Sequence, residues 1–208
     1  MGFIPELDGL SFEELAACFD GPPIDDLADA PWVFYQEVAM LLRERNPDRA
    51  AAFLESRANS TEADPGRLTG ALLGLSHRGP SDHAYRPLFV KNLSHPHDIV
   101  VQEAIDSLAQ IQAAEEAGAV AELADHRSPY IRGAVLRYWM WVFGPDARPR
   151  LLAGFDDPDP TVRFWALDAL DDLGEQADDR VIERSAHDSD PDVAAHARLI
   201  AELRAEYS

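Results

Sequence analysis

Scarcities in this sequence narrow its function before any motif is read. There is one cysteine, Cys18, so no disulfide can close within the chain; in the apolar run Leu15-Ala16-Ala17-Cys18-Phe19 it reads as a small core residue. Lys91 is the one lysine, and 18 basic residues face 38 acidic ones for a net charge of −20. A surface so poor in positive charge repels phosphate backbones, which disfavours direct binding of DNA or RNA. No apolar run reaches the roughly 18 residues of a membrane-spanning helix. Residues 1–6 show no basic segment leading into an apolar one, so a soluble, cytoplasmic protein is expected.

Patterns that carry chemistry are equally scarce. The chain has no glycine-rich phosphate loop, no metalloprotease helix and no calcium-loop spacing of acids. His95-Pro96-His97 beside Asp98 sets two imidazoles in a turn without a fixed third ligand, and His77 and His83 flank the Gly79-Pro80 turn. His126, His187 and His196 have no serine or cysteine nucleophile pattern near them. The expectation is no catalytic residue, no metal and no cofactor, hence not an enzyme.

What the chain does have is repetition. Val100, Ile131, Val162 and Val193 follow one another at intervals of 31 residues. Four positions on stand Ala104, Val135, Ala166 and Ala197. Seven on stand Ser107, Tyr138, Ala169 and Ile200, and eight on Leu108, Trp139, Leu170 and Ala201. Offsets of 0, 4, 7 and 8 trace one face of an α-helix. Upstream lie Pro96, Pro129, Pro160 and Pro191, the last three preceded by Ser128, Asp159 and Asp190 as expected N-caps. Gly118, Gly144 and Gly174 punctuate the connections, and a second helix follows in each copy.

The earlier chain is less regular. Ser11 and Glu14 form a capping box, Phe12, Leu15, Ala16 and Phe19 share a face, and Gly21-Pro22-Pro23 stops the helix. A helix is expected from Pro31 to about Arg45, with Trp32, Phe34, Tyr35, Val38, Leu41 and Leu42 in its apolar stripe. Asn46-Pro47 opens a second helix, Arg67 to Ser76 a third, and Asp82 to Leu93 a fourth in which Pro87 demands a kink or break near Tyr85. In the last helix Val193, Ala197, Ile200 and Leu203 are expected inward, with Arg198, Glu202 and Arg204 outward.

The run Asp157-Pro158-Asp159-Pro160-Thr161-Val162-Arg163, continued by Ala166, Ala169-Leu170 and Leu173-Gly174, resembles HEAT repeats, and within them the short bacterial form called phycobilisome-lyase HEAT-like repeats. Fainter copies stand at Pro129-Tyr130-Ile131-Arg132 and Pro191-Asp192-Val193. The resemblance spans about 95–208 and extends more weakly over 31–94. It implies an all-α fold: an armadillo-type α-solenoid of antiparallel helical hairpins, an α-α superhelix. We expect residues 1–30 as an N-terminal capping helix and loop, and 31–208 as about five hairpins plus a terminal helix, one domain in all. The family's ladder joins an Asp and an Arg six positions apart between repeats. Asp157 and Arg163 fit it. The position matching Asp157 near Arg132 is His126, and those matching Arg163 are Val101 and Ala194, so an incomplete ladder is expected.

Function is then expected from a face rather than a reaction. The resemblance implies that second helices line the binding face, and these carry Glu115, Glu116, Glu122, Asp125, Asp178, Asp179 and Glu183. In the aromatic group Tyr130, Tyr138, Trp139, Trp141, Phe143, Phe164 and Trp165, packing between repeats is the main reading. Phe164 is expected over Gly133, and Tyr138 and Trp141 are the candidates for outward binding anchors. Together these predict a monomeric, non-enzymatic module for a partner protein with a basic surface, such as a bacterial immunity protein or inhibitor. Alternatives are a lyase-like accessory or chaperone for a chromophore-bearing or modified partner, and a DNA-mimic inhibitor of a nucleic-acid-binding protein. The aspartates of 156–159 and 188–192 are expected as helix caps.

Overall fold

The computed structural model describes residues 4–24, 30–60, 64–77, 83–174 and 179–207, with the backbone alone for Asp179 and Tyr207. The described residues are helical or in turns, without a strand, and the fold class is the all-α solenoid of helical hairpins. The chain divides into two compact units, Met1–Ala113 and Ala114–Ser208.

The first unit begins with a short 3-10 turn, Pro5–Leu7, and helix α1, Phe12–Asp20. The capping box forms in full: Ser11 Oγ accepts from the Glu14 amide, and Glu14 Oε2 accepts from the Ser11 amide at 2.9 Å. Phe12, Leu15 and Phe19 are buried, and Phe19 meets Tyr35 and Phe53 edge to face at 5.7 and 5.8 Å. The helix thus lies across α2 (Pro31–Arg45) and α3 (Pro47–Ala58). Asn46 both ends α2 and caps α3, its side chain accepting from the Arg49 amide. Trp32 departs from the expected stripe and is exposed, and Cys18 is only half-buried.

Helix α4, Pro65–Ser76, begins two residues before the expected start because Asp64 caps it and Pro65 suits the first position. It packs on α2 so closely that a Cβ at Gly70 would sit 2.5 Å from the Tyr35 carbonyl oxygen. Pro87 does not kink a helix. It occupies the first turn of α5, Arg86–Asn92, where the missing N–H costs nothing, and the helix begins just after Tyr85, at the expected break. Helix α6, Asp98–Gln110, closes the unit by packing on α4 and α5. Its end is fixed by Gln112 in the left-handed region (φ 58°), where the next copies place Gly144 (φ 52°) and Gly174 (φ 60°). Gly118, expected as the punctuation, is not in that conformation.

The second unit carries a short 3-10 turn, Ala114–Glu116, then α7 (Ala117–Ala121), α8 (Pro129–Phe143), α9 (Arg148–Gly154), α10 (Pro160–Asp171), α11 (Asp179–Ser185) and α12 (Pro191–Tyr207). Long first helices pack on each other in succession, α8 on α10 and α10 on α12, and the second helices are brief. The repeating columns are buried: Ile131, Val162 and Val193; Val135, Ala166 and Ala197; Tyr138, Ala169 and Ile200. The column at offset eight ends at Ala201, which is exposed, and Leu203 is 46% exposed rather than inward. The last turn of α12 is held instead by Arg204, expected outward, which donates to Asp171 on α10 at 2.6 and 2.8 Å.

Candidate functional site: the repeat edge and cleft of the second unit

One turn recurs before each long helix and sets the frame for the site. Residues 95, 126, 157 and 188 each accept the backbone N–H two positions on. His95 Nδ1 takes it from His97 at 3.2 Å, His126 Nδ1 from Ser128 at 3.1 Å, Asp157 Oδ1 from Asp159 at 2.8 Å and Asp188 Oδ1 from Asp190 at 2.8 Å. An imidazole nitrogen replaces a carboxylate oxygen in the first two copies. It can do so only with Nδ1 unprotonated. Burial, and then the neighbouring His97, push the His95 imidazole below its ordinary pKa and so favour that form. Asp159 and Asp190 cap their helices as expected, through Thr161 in one case and Asp192 and Val193 in the other. Ser128 holds the cap position without a side-chain bond.

From the carboxylates of that turn grows a ladder. Arg132 donates through Nε and an Nη to Asp157 at 2.8 Å each, and Arg163 does the same to Asp188 at 2.9 and 2.8 Å. Each arginine also donates back to the carbonyl six residues earlier, at His126 or Asp157. Asp157 and Arg163, six apart, are thus joined through the Asp157 carbonyl, and their side chains bridge to neighbouring copies. The expected gap at His126 is no gap between 132 and 188, because each arginine looks forward to the next copy's aspartate. Arg163 holds Asp188 below the usual carboxylate range; at Asp157 burial pulls upward, and the Arg132 and Asp159 hydrogen bonds outweigh it.

Aromatics fill the gaps between copies. Trp165, not Phe164, covers Gly133: a Cβ there would lie 1.6 Å from the Trp165 ring. The Arg137 guanidinium sits 4.1 Å above Trp165, and Tyr130 meets its edge. Phe164 stacks instead on His196, with centroids 4.3 Å apart. Trp139 is nearly buried, lies 4.8 Å from Phe143, and carries the Arg150 guanidinium 3.7 Å from its ring centroid.

Trp139 and Arg150 belong to a cleft of about 330 Å³, with Val135 and Leu136 on its floor and Asp125 and Asp156 on its rim. The cleft opens because α7, the turn after it and α9 present small residues there, Ala121, Ala124, Ala153 and Gly154. Gly154 cannot be larger, since a Cβ would approach Leu136 and Ala166 within 2.7 and 2.9 Å. Nothing in the periodicity marks this cleft, though the run of small residues is its trace.

The expected binding residues distribute unevenly. Glu115, Glu122, Asp125 and Glu183 are exposed and Glu116 is half-buried. Glu115 and Glu116 form the 3-10 turn before α7, and Glu122 and Asp125 follow it, so these acids flank the short second helix rather than line it. Asp178 lies outside the described residues, and Asp179 opens α11 with only its backbone described. Trp141 is 46% exposed. Tyr138 is fully buried and offers no surface to a partner; burial, with Glu116 and Glu115 adding negative charge, pushes its hydroxyl up to about 12. The structure brings Asp125 to the cleft, while Glu115, Glu122 and Glu183 are exposed outside its lining.

No group of metal-binding side chains occurs among the described residues, and none of their helices is long and apolar enough to cross a membrane. A crystal structure of an engineered protein is similar over 96% of this chain and 94% of its own, at 14% identity and a TM-score of 0.51, a likeness of fold alone. No curated protein matches the sequence significantly. The family model for HEAT repeats matches residues 86–171 and again 117–201. These matches cover more than half of the chain and fall on the hairpins that the arginine–aspartate ladder joins, and the chain belongs to the HEAT-repeat family.

Proposed function

We propose that this chain is a non-enzymatic protein-interaction module, working in the cytoplasm, that engages a basic protein surface, in the manner of an immunity protein or small inhibitor. HEAT repeats point to an interaction scaffold. The observation that carries the finer reading is electrostatic: the exposed carboxylates Glu115, Glu122, Asp125 and Glu183, in a chain of net charge −20, are exposed around the short second helices of the second unit. Such a field steers a cationic partner and speeds its association. Among HEAT proteins we assign the repeats to the short bacterial form, on the strength of second helices of 5 and 7 residues.

The test is affinity capture with the purified chain, identification of the retained protein, and titration of their affinity with salt. A partner of high isoelectric point, weakened about tenfold or more as salt rises from 50 to 300 mM, is expected. Reversing Glu115, Glu122 and Asp125 to lysine should weaken it further without lowering the melting temperature. Salt-independent capture, or capture indifferent to those reversals, would sink the reading.

A further inference from the structure

Resting on that reading, we propose that the cleft of the second unit receives an arginine side chain of the basic partner, and that Arg150 is its intramolecular stand-in. The indole of Trp139 is the floor's one aromatic face, and in the free chain a guanidinium already lies on it at 3.7 Å. That is the preferred geometry for a cation over a ring. Arg150 is exposed, and among the described residues the contact recorded for its guanidinium is the Trp139 ring. A partner arginine offers the same contact and adds more. The rim presents Asp125, an exposed carboxylate, and Asp156, whose bridge to Arg184 joins two side chains each more than 70% exposed. Such a bridge is worth little and yields readily.

The cleft's other arginine does not attract an anion, because Arg132 is held by Asp157 and by the His126 carbonyl. With that pair closed, the remaining lining charges are two aspartates and the displaceable Arg150, which favours a cation. A volume of about 330 Å³ suits one long side chain with a few waters, at the small end of the roughly 300–1,000 Å³ range of ligand clefts. The stand-in lowers apparent affinity, since the entering guanidinium must displace one that is tethered beside the ring.

The experiment titrates the full chain with the capped peptide acetyl-Gly-Arg-Gly-amide and with the same peptide carrying citrulline, which keeps the planar shape and lacks the charge. The Trp139 indole N–H resonance reports occupancy. The arginine peptide should shift it and the citrulline peptide should not. Arg150→Ala should tighten arginine-peptide binding about fivefold, and the pair Asp125→Asn and Asp156→Asn should weaken it about fivefold. Unchanged melting temperatures confirm that these surface variants fold. A shift confined to Trp32, Trp141 or Trp165, equal response to citrulline, or weaker binding by Arg150→Ala overturns the assignment. The peptide assay needs no identified partner. A silent Trp139 beside intact salt-sensitive capture therefore removes the arginine site and leaves the protein-binding reading in place.

Discussion

The two units stack hairpins by different means. In Met1–Ala113 the helices close up through glycine and aromatic edges: Gly70 lets α4 lie against the Tyr35 backbone, Gly74 sits under Leu54 and Ala39, and Phe12, Phe19, Phe53 and Tyr35 interlock. Arg43 reaches the backbone carbonyls of Gly74 and His77 and Arg45 those of Asp8 and Leu10, while Arg49 and Arg57 pair with Glu13 and Asp20 of α1. In Ala114–Ser208 Arg132 and Arg163 repeat one grip on the next copy's turn carboxylate at an interval of 31 residues, and a tryptophan rather than backbone fills the glycine gap. Backbone-to-backbone packing fixes one distance and tolerates no addition. A side-chain ladder holds the same spacing at intervals and leaves room between the second helices, which is where the cleft lies.

The largest effect should come from testing the two glycines against each other. At Gly70→Ala the new methyl meets the backbone of α2, which cannot turn aside, so a loss of about 3 kcal/mol is expected. At Gly133→Ala it meets the Trp165 ring, which is half-buried and can swing outward. The loss there should be nearer 1–2 kcal/mol, and Trp165→Ala in the same chain should recover part of it. Urea midpoints of these three variants, with Trp165→Ala alone as the reference for the double change, measure this. Equal losses at both glycines would erase the distinction drawn between the units.

Next comes the ladder. Arg132→Met or Arg163→Met strands a partly buried carboxylate, which should cost about 2 kcal/mol each. Asp157 and Asp188 titrate below their usual range in the fold, so their contribution is complete above the unfolded value of about 3.9 and is lost as pH falls through the lower folded value. The methionine variants should therefore draw towards the parent in urea midpoint as pH falls below about 3.9. A difference that persists there would assign their effect to packing.

These elements also show what a sequence can disclose. Pro31, Asn46-Pro47 and Asp64-Pro65 announce helix starts by local chemistry, and the 31-residue columns identify the buried face of the second unit in three of four offsets. Pro87 brings the break near Tyr85 rather than a kink, because a proline early in a helix begins it as readily as one in the middle breaks it. The column that set Phe164 over Gly133 gave the register but not the direction in which a helical side chain leans, and the neighbouring Trp165 reaches the gap instead. Tyr138 satisfied both a core column and an aromatic cluster, and only packing decided for the core. The cleft was least legible of all. It is missing volume between helices about thirty residues apart, and its markers are alanines and a glycine that composition alone treats as unremarkable.

A smaller effect distinguishes the histidine turns from the aspartate turns. His95 resists protonation in the fold, so between about pH 6.5 and its lower folded value the unfolded chain takes up the proton first. Its contribution is complete above about 6.5 and is lost as pH falls through that window, well before the ladder begins to fail. His95→Asp should keep the turn, as Asp157 and Asp188 do. It should remove less than about 1 kcal/mol of pH dependence between pH 7.5 and 5.5. An unchanged slope would show that the His95 bond carries no free energy.

The smallest effect is a stabilisation. Gln112 follows α6 at a positive φ of 58°, as Gly174 follows α10 at 60°, and a side chain there costs about 1 kcal/mol that glycine avoids. Against this, Gln112 Nε2 donates to the Ala109 carbonyl at 3.3 Å, a long bond, and glycine adds freedom to the unfolded chain. The terms leave Gln112→Gly about 0.5 kcal/mol more stable than the parent, read as a small rise in urea midpoint. The reverse change, Gly174→Gln, should lose about 1 kcal/mol at the corresponding place in the second unit. If Gln112→Gly is instead destabilised, the glutamine is anchoring the end of α6 through its side chain. The first unit would then have replaced a conformational terminator by a hydrogen-bonded one.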